Sequence, residues 1–443
     1  MRATRYLLLS VVILWQAAAG VGSASEYCVD PGGSDTNPGT EAGPWKTIQK
    51  AADTLVAGDT VYIKAGTYHE RVMPKNSGTP GQYITYAAYR GHEVNVDGAG
   101  LAPASWTGLF HLKDKSWIRV SGFRIVNSGF FGVCVSGKAS HIIIEKNYLR
   151  NCQSSGIHVR SGLPGAPLTD IQIADNEVTE TNTNHDQEGI SVCGADSFEV
   201  RSNHVHHIYK EGIDAKEGCA NGRIHGNYVH HLLGFQRAAG IVLSTVGIYV
   251  DTYGATRNIE VSENLAHNCG NAFAVASETG DPCENIRFFN NIAYNNQHGF
   301  TVGWDKPGPR NIQIVNNVAY ANRGTGVLVS DKYSENIVVR NNICSQNREA
   351  QIVVARAIEQ NVLVDHNLVD AYRGSKELWK AEASMEVQGT NAVVGDPRFV
   401  NPVGGDFHLR TNSPALGAGS SVGAPEIDHD GKRRRGRTDI GAY

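Results

Sequence analysis

The chain has 443 residues and a net charge of −4, from 40 Lys and Arg against 44 Asp and Glu. Its 49 Gly and 3 Met argue against a helical bundle and suit many short strands joined by tight turns. The mildly acidic balance excludes a nucleic-acid binder by bulk charge. An anionic polymer would have to be held by a local basic stripe or a bridging cation.

Residues 1–25 read as a signal peptide. Arg2 and Arg5 form a basic start, Leu7 to Ala19 an apolar stretch too short to span a membrane, and Gly22 to Ser25 a small-residue cleavage site. The expected mature protein is secreted, extracellular or periplasmic, with net charge −6 once the two arginines are gone. Export permits disulfides among the 8 cysteines, whose spacings fit no zinc pattern. Nearness in the repeat suggests Cys134 with Cys152 and Cys193 with Cys219, and leaves buried free thiols as the alternative.

Residues 26–57 read as an N-terminal cap carrying the only convincing helix, Thr47 to Leu55. From 58 to 395 the chain repeats itself. A unit of the form N-x-x-x, polar turn, G-[IVF]-x-V recurs, as in NYLRNCQSSGIHV from Asn147 and NHVHHIYKEGIDA from Asn203. The repeated Asn falls at 147, 176, 203, 227, 264, 291, 317, 342 and 367, and the long step from 227 to 264 implies an insertion. A period of this length, with short alternating strands and no helical pattern, predicts an all-β, single-stranded right-handed parallel β-helix closed by a short N-terminal capping helix. Residues 396–443 read as a closing segment, and Lys432 to Arg437 as a solvated patch.

The Asn column is expected to form a buried amide ladder. The column three residues later, His206, His230, His267, Tyr294 and Tyr320, is read as a stack lining a turn, although stacked imidazoles can also bind metal. Val159, Val192, Val250, Val275, Val302 and Val329 should share one inward column.

The phrases GSDTNPGT, PWKTIQKA and GDTVYIKAGTYHE near the N-terminus, with SPALGAG and DIGAY near the end, resemble exported β-helix proteins, among them family 9 pectate lyases and β-helical glycosidases. The resemblance covers nearly the whole chain and is specific for the fold. It implies a carbohydrate-active enzyme and, for family 9 lyases, calcium held by Asp with a Lys base.

Chemistry must lie on side chains that point outward from G-[IVF]-x-V, at its third and fifth positions. Charge concentrates there in the middle coils, at Asp214, Lys216 and Asp251, with Glu278 beyond. Arg160, His158, Glu188, Tyr249 and Trp304 are read as substrate-binding, and Thr179 to Glu188 and Gly234 to Val246 as cleft walls. Two mechanisms fit. In the first, Lys216 removes the proton α to a uronate carboxylate, which is neutralised by Arg160 or by a cation, calcium, on Asp214, Asp251 and Glu278, and β-elimination follows. In the second, Asp214 with Asp251, or Asp251 with Glu278, acts as an acid–base pair in hydrolysis. A uronate epimerase would share the first proton abstraction, and a non-catalytic surface or carbohydrate-binding protein would have no coherent pocket. The expected partner is an anionic polysaccharide, met by a monomer without nucleic acid or membrane.

Overall fold

The computed structural model describes residues 24–161, 167–183, 187–233, 246–250, 254–304, 306–372 and 384–443. Residues 1–23, to which the expected signal peptide largely belongs, His185, Asp186, Asp251, Asp305 and most of the insertion at 234–246 lie outside the described residues.

Three long sheets wind around one axis as a right-handed parallel β-helix. Two have 13 strands and the third 11 among the described residues, and strands pair in parallel with their counterparts in the next coil, except that Ser384–Glu386 closes the third sheet antiparallel. The first sheet begins at Glu26–Val29, which pairs in parallel with Thr60–Ile63. The segment read as a cap thus contributes a strand as well as the helix Ile48–Thr54. That helix starts where the Thr47 hydroxyl accepts from the Lys50 N–H and the Glu70 carboxylate accepts from the Ile48 and Gln49 N–H groups, which satisfies three orphan donors. Its Ile48, Ala51 and Ala52 face the core.

The valine column stacks as expected. Val159, Val192, Ala215, Val250, Val275, Val302 and Val329 are successive partners in one continuous core. The coil turns from the first sheet to the second through a single left-handed residue, such as Asp175, Ser202 or Glu263, followed by the repeated Asn. Each Asn Oδ1 accepts from the main-chain N–H and the side-chain amide of the preceding ladder Asn, as between Asn227 and Asn264, both at 2.9 Å. Each Nδ2 also donates to a carbonyl, for Asn264 that of Ile224 at 2.9 Å. The ladder therefore runs unbroken across the long step. The repeated Gly has a different cause, close approach of backbones. A Cβ at Gly212 would sit 2.7 Å from the Gly247 carbonyl oxygen, and one at Gly247 would sit 2.6 Å from that of Ala272.

Two expectations are corrected at the C-terminal end. Residues 396–443 lie along the flank of the solenoid. Phe399, Phe407 and Ile440 pack on Ile292, Val318, Ile343 and Leu368, outward residues of the second sheet, because that apolar row would otherwise face water. The run Lys432 to Arg437 is not uniformly solvated, since Arg434 donates to the carbonyls of Tyr443 and Gly441 and to Asn290 Oδ1 and so pins the flanking segment.

All 8 cysteines are buried free thiols. Cys134 and Cys193 face the cleft described below, while Cys219 belongs to the core and Cys152 lies in a turn. The suggested pairs thus point to different sides of the wall. Among the described residues no helix is long and apolar enough to cross a membrane.

Candidate functional site

The outward face of the third sheet carries a cleft of about 1260 Å³. Its floor follows two register rows. One runs His111, Cys134, His158, Ser191, Asp214, Tyr249, and the other Lys113, Ser136, Arg160, Cys193, Lys216. Tyr249 follows Asp214 directly, so the chain re-enters the sheet in register after the insertion. Gly194, Glu217 and Gly218 are left-handed and swing the chain from the strand end towards the next sheet.

The floor is buried, contrary to the expectation of solvent-facing strand residues: Asp214 is 1% exposed and Glu188 0%. Long side chains lie across the face. Lys216 Nζ donates to Glu188 Oε1 at 2.6 Å and stands 3.2 Å from Asp214 Oδ2. Lys210 Nζ bridges Glu188 Oε1 at 3.4 Å and Glu211 Oε2 at 3.3 Å. Arg160 pairs with Glu217 at 3.4 Å and lies 4.9 Å over the Trp106 ring. These contacts give the two glutamates opposite characters. Burial pushes Glu188 up, but Lys216 and Lys210 together hold it down at about 2. Burial dominates at Glu211 and raises it to about 7 despite Lys210. Burial alone would lower the Lys216 ammonium, yet Asp214 and Glu188 outweigh it and hold it well above the ordinary lysine range.

His158 stacks on Phe131, centroids 4.1 Å apart and 3° from parallel. Neither ring nitrogen has a hydrogen-bond partner among the described residues, and burial lowers the ring to about 3, so it is neutral. A buried unpaired polar group costs about 1–3 kcal/mol. His158→Phe is therefore expected to stabilise the fold by roughly that amount. Because the folded pKa lies below the unfolded one, the wild-type contribution is present above about pH 6.5 and is lost as pH falls towards 3. The variant should gain most at low pH, as measured by urea unfolding at pH 7 and pH 4.5 (pH values chosen to straddle about 6.5).

Of the residues expected from the sequence, Asp214, Lys216, Arg160, His158, Glu188, Tyr249 and Glu278 all line this one cleft. Trp304 does not, because its ring packs against Tyr249 at 5.0 Å. Asp251 lies outside the described residues. Lys210, Glu211, Trp106, His111 and Lys113 also line the cleft and were not singled out. His111 and Lys113 were legible, since GLFHLK at 108–113 is the same strand pattern two coils earlier. Lys210 and Glu211 precede the repeated Gly and read only as a polar turn.

Calcium takes 6–8 oxygen ligands, about that many in its usual sites. Among the described residues no three carboxylates of the cleft come within 4.8 Å of one another. Lys216 already matches Asp214 and Glu188, and Glu278 is exposed. The described residues by themselves do not form a calcium cage.

Residues 27–204 match the family model described as Pel9A-like, right handed beta helix region. The uncharacterized protein YwoF of Bacillus subtilis (strain 168) is 30% identical over 336 residues, 69% of this chain and 70% of that protein. Among solved structures, pectate lyase Pel9A superposes with a TM-score of 0.60 at 14% identity, covering 96% of this chain and 97% of that one. The GH136 lacto-N-biosidase from Eubacterium ramulus superposes with 0.53 at 14% identity, covering 84% and 67%. The fold is thus shared with a lyase and a glycosidase, and the chain, with its matching family model and its relative at this coverage, belongs to the Pel9A-like right-handed β-helix family.

Proposed function

We propose that the protein is a secreted polysaccharide lyase that binds a uronate-containing polymer in the third-sheet cleft and cleaves it by β-elimination. The observation that carries this reading is a largely covered amine, Lys216, on the cleft floor in the same register row as Arg160 and Lys113. The row offers cations for a chain of carboxylates, and the family's pectate lyase supports the reaction class. The α proton of a uronate is weakly acidic, so its removal needs a strong base and a neutralised carboxylate. Arg160 pairs with the carboxylate. The lone pair of deprotonated Lys216 takes the α proton, the bond from the β carbon to the glycosidic oxygen breaks, a C=C bond forms, and the departing oxygen takes a proton from water. Trp106, half exposed at the cleft, offers a ring to the sugars.

A second reading rests on its own observation. Glu188 and Glu211 share Lys210 but differ widely in acidity, and carboxyls pushed apart in this way suit an ionised nucleophile or base and a protonated acid. The protein would then hydrolyse a glycosidic bond.

The test is incubation of the mature protein, a monomer in this reading, with a panel of acidic and neutral polysaccharides, with and without added calcium. Elimination gives ultraviolet-absorbing unsaturated uronates, and hydrolysis gives reducing ends without that absorbance. Reducing ends alone would overturn the lyase.

A further inference from the structure

The outer face of the second sheet carries a separate cluster that the cleft does not use. Two outward register rows run there. One is Glu177, His204, Tyr228 and the other Thr179, His206, His230, His267. The second row stacks as the sequence implies, with His206 on His230 at 5.1 Å and 11° and His230 on His267 at 5.0 Å and 9°. The stack continues onto Tyr294 at 4.7 Å, beneath the flanking C-terminal segment, where Phe407 meets that ring.

At the other end of the stack the imidazoles meet a carboxylate. His206 Nε2 lies 3.3 Å from Glu177 Oε1, and one ligand atom from each of Glu177, His204 and His206 lies within 4.8 Å of the other two. His204 Nε2 faces His230 Nε2 at 2.8 Å. Two ring nitrogens this close need one N–H and one lone pair between them, so one of these two nitrogens carries a lone pair here.

We propose that Glu177, His204 and His206 bind one borderline divalent transition-metal ion of the Zn²⁺ class. Tetrahedral zinc, with ligand bonds of about 2.0–2.2 Å, sets its ligand atoms roughly 3.3–3.5 Å apart. The His206–Glu177 pair already has that spacing, and a ligand atom of His204 lies within 4.8 Å of both. The fourth position is open to water or to His230. Two imidazoles and one carboxylate select zinc over calcium or magnesium, which prefer all-oxygen sets. The ion joins two successive coils, since Glu177 lies on Glu177–Thr179 and the histidines on His204–His206. It acts as a rivet on the solenoid, on a different sheet from the cleft.

The experiment uses untagged, metal-stripped mature protein titrated with zinc sulfate and, separately, calcium chloride, by calorimetry, with thermal unfolding of each sample. One zinc per chain, a zinc-dependent rise in Tm and no calcium effect at this site are expected. Glu177→Gln and His204→Gln should each weaken zinc at least about tenfold, whereas His225→Gln, on the first sheet, should leave it unchanged. Circular dichroism confirms that each variant is folded, and a misfolded one is replaced by Glu177→Ala or His206→Gln. Absence of stoichiometric zinc binding, or zinc affinity equal to wild type in both ligand variants, would overturn the site.

Discussion

Lys216→Arg is expected to lower turnover of the polyuronate by about 10²–10⁴, the usual loss for a positioned base, while the protein stays folded. Arginine is the informative substitution because Lys216 is only 12% exposed and pairs with two buried carboxylates. Alanine would take the Lys216 ammonium from both carboxylates, leaving Lys210 beside Glu188, and cost about 3–5 kcal/mol in stability, so its effect on rate would be confounded with unfolding. Arginine keeps the positive charge but does not lose its proton. In the wild type Asp214 and Glu188 hold Lys216 protonated, so the reactive fraction should grow about tenfold per pH unit through the alkaline range, and kcat/KM should climb until the protein unfolds. Hydrolysis requires the opposite sign. The Glu211 acid is protonated below about 7, so activity would fall as pH rises through that value, Glu211→Gln would be severe and Lys216→Arg mild. A pH profile of kcat/KM for wild type and both variants separates the mechanisms.

Asn264→Ala should be the most damaging single change to the fold among ladder positions near the cleft. The amide of Asn264 accepts from the Asn227 N–H and Nδ2 and donates to the Ile224 carbonyl and Asn291 Oδ1. Truncation takes this partner from the buried Asn227 N–H and Ile224 carbonyl, whereas Asn227 Nδ2 keeps the Val200 carbonyl and Asn291 Oδ1 keeps the main-chain N–H of residue 264. At about 1–3 kcal/mol for each unsatisfied buried group, the expected loss is about 2–6 kcal/mol, at or above the upper end of the usual range for a point substitution. Equilibrium urea unfolding measures it. The same change at the exposed column formed by Asn258 and Asn285 should cost much less, because water replaces the lost partner. A loss below about 1 kcal/mol at Asn264 would mean that the ladder aligns the coils without stabilising them.

The two proposed sites illustrate how function is distributed on a solenoid. Residues distant in sequence become neighbours only through coil stacking, as with Arg160 beside Cys193 and Cys193 beside Lys216 in one row. A cleft along such rows suits a linear polymer, because the lateral repeat of the strands, about 4.8 Å, presents side chains at regular intervals along the axis.

The sequence by itself determined the solenoid, its inward valines, its Asn ladder and the stacked histidines. Each depends on a local period, and in a repeat architecture the local period is also the tertiary contact. It also brought Asp214, Lys216, Arg160, His158, Glu188, Tyr249 and Glu278 to one face, because alternation fixes which side of a strand a residue takes. Only the tertiary structure decided burial and charge state. Lys216 and Glu188 reach across neighbouring coils to pair, Lys210 and Glu211 enter the cleft from a turn, and Trp304 turns onto Tyr249. None of this has a period in the sequence, because long side chains choose rotamers by what faces them. The same holds for the flanking segment 396–443, whose place along the second sheet follows from an apolar row that had to be covered and that no local pattern in the segment itself reveals.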